Sequence, residues 1–442
     1  MIFKFPTPRT RIAVVLLSLA LAVFLSYFGV RNALANYYLG LDTRAGYERA
    51  ARLESANSRN WFLLGRSYLY DFERPDTARA VQSLRKAVSL DPYSAEALLD
   101  LANAYDGEND TAQARNAFAS AQRVYPLSAD VAWSYGNFLL RQGEQDAAFA
   151  EIRKSVELEP RRAAEAFSRT QTVQPNIDIL LDNALPASTA TYLPILHLLV
   201  TAGDLDSAEK VWKRLLALHQ KVPIHDMVDL PNQYLQRGRP DDATRVWSEA
   251  VSIMQNPPPP DPPGSLVWDG GFESGFAGGG FSWHFTPATN NVQITFDHSE
   301  KHSGQQSLRI LFNGHENLNF EDACHPVAPV PGQRYLLSAW MKTQSLTSSQ
   351  GVRLQIFAYT ETNQEAVTTE EVHGTEPWKK LELAWSAPPG THSASICAKR
   401  LMSDQPGKDI QGAAWIDDVS LLQVNDGIPI GQVPANGAPT KP

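Results

Sequence analysis

A period of 34 residues in the first half of the sequence constrains the fold more than any other feature. Small residues, large apolar residues and prolines recur at this spacing, in four columns: Ala80, Ala114 and Ala148; Leu84, Phe118 and Ile152; Ala87, Ala121 and Ser155; Pro92, Pro126 and Pro160. Such a period indicates stacked helical units, because one unit alone cannot bury its apolar face. The small residues let two helices approach closely, and the proline ends the second helix. We therefore predict an α-solenoid over residues 44–255.

This pattern resembles the tetratricopeptide repeat, which implies two antiparallel helices per unit. After Pro160 the register breaks for about one unit. It returns at Ala208, Trp212 and Leu215, 35 residues before Ala243, Trp247 and Ala250. We interpret the region as five repeats, of which the last two are degenerate.

The first helix of each unit is expected to line the concave surface of the solenoid. Polar and aromatic residues fall at or near equivalent positions there: Arg66, Asn103, Trp133, Asn137 and Arg141. One hypothesis is a groove in which they bind an extended peptide of a protein partner. The alternative is a solvated inner face without a ligand.

Residues 12–30 contain no charged side chain and are long enough, at 1.5 Å per residue, to cross a bilayer core of about 30 Å. Lys4, Arg9 and Arg11 precede this span, so the positive-inside rule predicts that residues 1–11 are cytoplasmic. The prediction is a single-pass signal anchor in the inner membrane, with the folded domains in the periplasm. The alternative is a signal peptide cleaved after Ala35.

The composition excludes several classes of function. The formal charge is −9 and no basic stripe is present, so we expect no nucleic-acid partner. The two cysteines form no Cys-x-x-Cys pair, which excludes a zinc finger and a disulfide-rich scaffold.

Residues 256–264 contain six prolines and are predicted to be a stiff polyproline linker. Beyond them the apolar pattern changes from a helical period to strict alternation, which predicts strands separated by Gly/Pro turns. We expect an all-β sandwich over residues 265–424 and a disordered tail over residues 425–442. The fold class is then multidomain α + β, with a transmembrane helix, an α-solenoid and a jelly-roll sandwich.

Several motifs of the second half resemble a galactose-binding-like jelly roll of the carbohydrate-binding-module type: Asp269-Gly270-Gly271-Phe272-Glu273, His302-Ser303-Gly304, Pro331-Gly332-Gln333-Arg334-Tyr335 and Trp415-Ile416-Asp417-Asp418-Val419. The resemblance implies a polysaccharide or glycan ligand. The whole architecture is similar to that of repeat proteins associated with bacterial exopolysaccharide and exosortase systems, which implies a role in the cell envelope.

Rings and amides off the alternating core pattern are the candidate carbohydrate-binding residues: Trp283, Phe285, Tyr359, Trp378 and Asn317, with Asn313, Asn319 and Gln355 as polar neighbours. The alternative for the two tryptophans is burial between the sheets.

The same resemblance implies a structural calcium ion held by Glu273 and Asp418, where the first and last strands meet. The alternative is that these carboxylates cap turns. No organic cofactor is expected. Cys324 and Cys397 lie in predicted strands, and both a disulfide and two buried thiols remain open.

Motifs of hydrolases, P-loop proteins and zinc proteases are missing from the sequence, so we expect no enzyme. The carboxylates Glu316, Glu321 and Asp322 leave a glycosidase as a distant alternative. The predicted function is an exported, membrane-anchored scaffold with a repeat solenoid for protein contacts and a sandwich for carbohydrate. The alternative is an assembly protein whose sandwich packs on a protein partner and binds no sugar.

Overall fold

The computed structural model describes residues 8–360 and 364–424. Lys4, the rest of the predicted cytoplasmic residues 1–7 and the predicted tail 425–442 lie outside the described residues. The chain divides into two compact units, residues 1–187 and 188–442, which are described separately.

The first unit contains ten α-helices within its described residues: α1 (Pro8–Leu39), α2 (Arg44–Leu53), α3 (Ser58–Leu69), α4 (Thr77–Leu90), α5 (Ala95–Gly107), α6 (Thr111–Val124), α7 (Ala129–Arg141), α8 (Gln145–Leu158), α9 (Ala163–Gln171) and α10 (Ile177–Asn183). The helices α3 to α8 form three consecutive hairpins.

Helix α1 carries the predicted membrane span. Among the described residues it alone is long and apolar enough to cross a bilayer, over Arg11–Leu39, with a mean hydropathy of 2.4. Its apolar side chains are exposed, as Leu17 is at 71%. The helix continues past residue 30 because no glycine or proline interrupts it before Gly40.

The repeat period reappears in the helix caps. The side chains of Asp76 and Asp110, which lie 34 residues apart, accept hydrogen bonds from backbone amides at the starts of α4 and α6. Ser94 and Ser128 do the same for α5 and α7. Each hairpin therefore begins both of its helices with side-chain caps at fixed positions, which satisfies N–H groups without intrahelical partners.

Small residues set the distance between the helices of a hairpin. A Cβ at Gly65 would lie 2.5 Å from Cγ of Leu84, and a Cβ at Gly136 would lie 2.8 Å from Cγ1 of Ile152. Ala102 is fully buried at the corresponding place between them. This close approach is the packing that the small residues of the period predict.

The second unit begins with two helical hairpins, α11 (Thr189–Ala202) with α12 (Leu205–Ala217), and α13 (Asp229–Gln236) with α14 (Pro240–Ser252). They correspond to the two degenerate repeats. Trp212 is fully buried, and its Nε1 donates to Glu249 Oε2 at 2.7 Å, which ties α12 to α14.

Nine β-strands follow within the described residues: β1 (Val292–Asp297), β2 (Ser307–Asn313), β3 (Phe320–Val327), β4 (Arg334–Leu346), β5 (Arg353–Thr360), β6 (Gln364–Thr368), β7 (Gly374–Ser386), β8 (Thr391–Arg400) and β9 (Gln411–Gln423). They form an antiparallel five-stranded sheet, β1-β2-β9-β4-β7, and an antiparallel four-stranded sheet, β3-β8-β5-β6. One apolar core fills the space between the sheets. The helical repeats and the sandwich confirm the predicted fold class.

The predicted linker does not hold the last helices and the sandwich apart. The Asp261 carboxylate accepts hydrogen bonds from the amides of Asp269 and Gly270 at 2.7 and 2.8 Å, which fixes the end of the proline segment to the sandwich. Trp247 of α14 meets Trp268 edge to face, with ring centroids 5.1 Å apart. The prolines do exclude a helix, but apolar contacts across them outweigh their value as a spacer.

Candidate functional site

The outward surface of β5 holds the most coherent set of candidate ligand-binding residues. Leu354, Ile356 and Ala358 point into the core and are fully buried. Because side chains alternate along a strand, Phe357 and Tyr359 lie on the outer surface, and both are half-buried.

Neighbouring strands surround these two rings with small and hydroxyl-bearing side chains. On β8, Ser395 lies opposite Phe357 and Ser393 lies opposite Tyr359. On β6, Ala366 and Gln364 occupy the corresponding places. We call Gln355, Phe357 and Tyr359, with these neighbours on β6 and β8, the β5 face.

Charged pairs border the β5 face at the start of β5. Arg353 forms an ion pair with Glu371 and donates to Gln350 Oε1 at 2.9 Å. On β8, Lys399 lies opposite Arg353 and pairs with Glu321 of β3. These side chains are engaged with each other, and the aromatic part of the face stays apolar.

A disulfide joins the two strands beside the face. Cys324 of β3 and Cys397 of β8 lie directly opposite each other, and their sulfur atoms are bonded at 2.09 Å. Cys397 is also the neighbour of Gln355 across the sheet. The bond therefore holds the sheet together beneath one end of the β5 face.

Of the residues predicted to bind carbohydrate, Tyr359 lies on the β5 face, with Gln355 as its predicted polar neighbour. The prediction for Trp283 is wrong, because its ring is 4% exposed, packs on Phe272 and donates from Nε1 to the Asp269 carbonyl. A ring buried on both sides cannot stack on a sugar.

The prediction for Asn317 is also wrong. Its Oδ1 accepts from the Ser403 amide at 2.9 Å and from Arg400 at 3.0 Å, and its Nδ2 donates to the Ser403 carbonyl at 2.8 Å. Its hydrogen-bonding groups thus fix a loop and the buried guanidinium of Arg400.

Two other predicted rings lie elsewhere on the sandwich. Phe285 packs beside Phe276 and Phe296, with ring centroids 5.5 and 5.7 Å away. Trp378 lies on the five-stranded sheet, 5.8 Å from the His302 ring, which stacks on Trp340 at 3.9 Å. The structure therefore separates the predicted set into several places.

Phe357, Ser393 and Ser395 were missed by the sequence-based prediction. Alternation with the apolar Leu354, Ile356 and Ala358 was the available signal for Phe357. No such signal existed for the two serines, because pairing between strands distant in sequence decides their position.

The carboxylates predicted to bind calcium are engaged in hydrogen bonds. Asp418 accepts from Ser303 Oγ and lies 2.6 Å from His302 Nδ1, while Glu273 Oε1 accepts from the Gln305 amide at 2.7 Å. Among the described residues, no group of three or more His, Cys, Asp or Glu side chains has an arrangement that could hold a metal ion. This geometry favours the capping alternative, and calcium binding stays a prediction.

Burial shifts the titration of two neighbouring carboxylates. It raises the pKa of Asp269 to about 6, although the amides of Glu273 and Ser274 donate to that carboxylate. It likewise raises the pKa of Asp417 to about 6, against hydrogen bonds from the amides of His302 and Ser303.

The carboxylates considered for a glycosidase have separate partners. Glu321 pairs with Lys399, Asp322 accepts from the Thr286 amide at 3.1 Å, and Glu316 accepts from Asn291 at 2.7 Å. Each is accounted for by a local structural contact.

In the first unit, the predicted groove residues of α3 and α5 contact one another. Arg66 Nε lies 3.3 Å from Asp100 Oδ2, and the Tyr70 hydroxyl donates to Asp100 Oδ1 at 2.7 Å. Asn103 Nδ2 donates to the Tyr70 hydroxyl at 3.4 Å. Burial raises the pKa of Asp100, and burial together with the Asp100 charge raises the pKa of Tyr70 to about 12.

The groove residues of α7 continue this arrangement. Arg141 pairs with Asp106 of α5 at 2.5 Å, and Asn137 Nδ2 donates to the Trp133 carbonyl one turn earlier at 2.9 Å. The guanidinium of Arg162 lies over the Trp133 ring, 5.7 Å from its centroid. We call the contacts from Arg66 to Arg141 the repeat ladder.

Comparison with protein-family models supports both resemblances. Residues 264–398 match a family described as "Carbohydrate binding domain", and residues 99–166 match one described as "Tetratricopeptide repeat". The chain thus contains a tetratricopeptide-repeat region and a C-terminal domain of the carbohydrate-binding type. Both are non-catalytic types of domain. No curated protein matches this chain.

Solved structures similar to parts of the chain include three of low identity. "Family 16 Carbohydrate Binding Module-2" is 15% identical, with 36% of this chain and 99% of that chain covered and a TM-score of 0.26. MamA is 18% identical, with 48% and 85% covered and a TM-score of 0.25. The CBM22-1 xylan-binding domain of Paenibacillus barcinonensis Xyn10C is 14% identical, with 32% and 86% covered and a TM-score of 0.24.

Proposed function

We propose that this chain is a membrane-anchored, exported scaffold whose sandwich binds carbohydrate at the β5 face. The observation that carries the proposal is the pair of half-buried rings, Phe357 and Tyr359, side by side on a sheet of a domain matching a carbohydrate-binding family. Serine hydroxyls flank the rings on β8.

The spacing of the rings suits an extended glycan. Residues two apart on a strand are separated by about 7 Å, so the rings present two adjacent apolar platforms. The C–H faces of a sugar pack on such rings, and hydroxyl and amide side chains nearby bind its hydroxyls. Gln364, Ser393 and Ser395 are placed for that role.

The proposal is tested by measuring the affinity of the full-length protein for a panel of soluble polysaccharides, with Phe357→Ala as the variant. We expect about a tenfold weaker dissociation constant, because one of two stacking platforms is lost. Phe276→Ala is the matched control, since Phe276 is 55% exposed but lies with Phe285 and Phe296 away from β5. Equal binding by the wild type and Phe357→Ala would contradict the assignment of the face.

The second candidate is an assembly protein whose sandwich packs on a protein partner. The part-exposed aromatic cluster of Phe276, Phe285 and Phe296 favours it, because exposed aromatic patches commonly mark protein interfaces. Under this alternative, Phe276→Ala weakens assembly, and no polysaccharide of the panel binds.

The proposed location is the inner membrane, with both domains on the periplasmic side. Helix α1 and the basic residues Lys4, Arg9 and Arg11 before its apolar span support this orientation. The disulfide between Cys324 and Cys397 supports export, because such bonds persist in oxidising compartments. The resemblance to exopolysaccharide-associated repeat proteins places the role in envelope or exopolysaccharide assembly.

A reporter fused after Val424 tests the orientation. Alkaline phosphatase is active only outside the cytoplasm, so we expect an active fusion. Fluorescence of a green fluorescent protein fused at the same position would contradict the proposed topology.

The repeats are proposed to hold a protein partner along the repeat ladder. Arg66 and Arg141 keep about half of their side-chain surface exposed although both are paired. Photo-crosslinking from Asn137 in cells tests this, with Gln122 on the second helix of its hairpin as the control position. Crosslinks of equal yield from both positions would contradict a specific groove.

A further inference from the structure

A groove of about 360 Å³ lies between α14 and the beginning of the sandwich, wholly within the second unit. Its walls are mainly apolar and aromatic: Trp247, Val251, Pro262, Pro263, Leu266 and Phe281. Aromatic and proline walls of this kind suit an extended, proline-containing peptide, which carries little conformational freedom into the bound state.

One polar group in this groove has no partner. Trp247 is 6% exposed, and its buried Nε1 has no hydrogen-bond acceptor among the described residues. The benzene edge of its ring packs on Gly280, where a Cβ would lie 2.3 Å from Cζ3. The edge with Nε1 is therefore on the side away from Gly280. A buried N–H without an acceptor indicates that a carbonyl oxygen is missing from the described contacts.

The chain itself leads to this groove. Ser265 and Leu266 line it. Ser265 forms an antiparallel bridge with Leu422, and the Leu266 amide donates to the Leu421 carbonyl at 2.9 Å. An antiparallel continuation of β9 past Val424 would run beside residues 261–264, which form one wall of the groove.

The sequence that follows β9 has the matching chemistry. Residues 428–430 are Ile-Pro-Ile, and Val433 and Pro434 come next. The formal charges nearest to them are Asp426 and Lys441. Four residues in extended conformation span about 13 Å, so residue 428 is within reach of the groove from Val424.

We propose that residues 428–434 lie in this groove as an extended segment, with a backbone carbonyl accepting from Trp247 Nε1. The segment then joins α14, the proline segment and the sandwich, and it acts as a latch between the last repeat and the carbohydrate-binding domain. This role is independent of whether the β5 face binds sugar.

Hydrogen–deuterium exchange of the full-length protein in detergent micelles tests the latch. The amides of residues 430–433 should exchange at least about tenfold more slowly than those of a synthetic peptide of residues 425–442. Ser248→Arg places a long side chain at the exposed rim of the groove and should restore fast exchange. Ser252→Arg, one turn later on α14 and outside the groove, is the matched control and should not.

Fast exchange in the wild-type protein, at the rate of the free peptide, would overturn the proposal. Protection that depends on protein concentration would also overturn it, because the occupant would then come from a second copy. A chain ending at Val424 gives an independent readout: residues 262–268 should exchange faster in it than in the full chain, and the synthetic peptide should reverse the change. An unchanged rate in these residues contradicts the latch.

Discussion

The repeat ladder and the β5 face both present side chains to solvent, but those side chains differ in what they contact. In the ladder, Arg66 and Tyr70 are bonded to the buried carboxylate of Asp100. On the β5 face, the rings of Phe357 and Tyr359 make no ring–ring contact within the described part of the chain. The ladder is therefore internally satisfied, whereas the face keeps apolar surface available for a ligand.

This difference assigns different consequences to substitutions in the two regions. Removing Asp100 leaves buried polar groups without a partner, so its main effect should be on stability. Removing a ring from the β5 face takes away contact area that only a ligand uses, so its main effect should be on binding. The following experiments test this separation.

The largest effect is expected when the disulfide beside the β5 face is removed. The bond closes a loop across 73 residues, and the chain-entropy model gives about 4 kcal/mol of stabilisation. The double variant Cys324→Ala/Cys397→Ala should lower the free energy of unfolding of the sandwich by about this amount in urea, while the ladder keeps its stability. Pulse proteolysis, which reports the two regions through different fragments, measures both. A loss in the ladder as large as in the sandwich would contradict the separation.

The next effect concerns the ladder itself. Asp100→Ala should lower the free energy of unfolding of the repeats by about 2–3 kcal/mol, because it leaves the half-buried Tyr70 hydroxyl and Arg66 without their acceptor. Asp106→Ala is the control, because its side chain is more exposed and should contribute less than about 1 kcal/mol. Urea unfolding of the two variants decides the point, and equal losses would show that burial is not the cause.

A pH titration distinguishes the regions by sign. Burial lowers the pKa of His325 in the sandwich core to about 3, below its usual 6.5, so the unfolded chain binds this proton more readily. The stabilising contribution is present above pH 6.5 and is lost as the pH falls from there toward 3. Between pH 7 and 5 the loss from this one group is about 2 kcal/mol.

Other buried groups act in the opposite direction. The raised pKa values of Asp100 in the ladder and of Asp269 and Asp417 in the sandwich favour the folded state as the pH falls through those values. The His325 contribution is therefore isolated by comparing the wild type with His325→Gln. The variant should lose less stability than the wild type on acidification, and parallel curves would mean that His325 titrates normally.

The smallest effect is expected from calcium. If the hydrogen bonds of Glu273 and Asp418 are their whole role, millimolar calcium added after chelation should leave the melting temperature within about 1 °C. A larger rise that Glu273→Ala abolishes would instead establish the calcium site that the family resemblance implies.

The accuracy of the sequence-based predictions differs between the two regions for a physical reason. The period of 34 residues places Gly65, Ala102 and Gly136 at equivalent helix contacts, because each unit packs mainly on its neighbours in sequence. For the same reason Arg66, Asn103 and Arg141 were predicted to share one surface, and they do lie on successive first helices of the repeats.

Alternation along a strand predicts the two sides of that strand but not the sheet to which it belongs. Tyr359 and Trp378 were both assigned to one site, yet β5 and β7 lie in different sheets. The serines opposite Phe357 and Tyr359 come from β8, more than thirty residues later in the chain. Strand pairing at such distances has no local signal in a single sequence.

The central claim is that the β5 face binds carbohydrate through its rings. The most direct test is calorimetric titration of the tightest-binding polysaccharide of the panel with three full-length variants, Tyr359→Phe, Tyr359→Ala and Trp378→Ala. Our account predicts that Tyr359→Phe keeps the dissociation constant within about threefold, that Tyr359→Ala weakens it about tenfold, and that Trp378→Ala, on the other sheet, leaves it unchanged. Loss of binding in Trp378→Ala with normal binding in Tyr359→Ala would contradict the account.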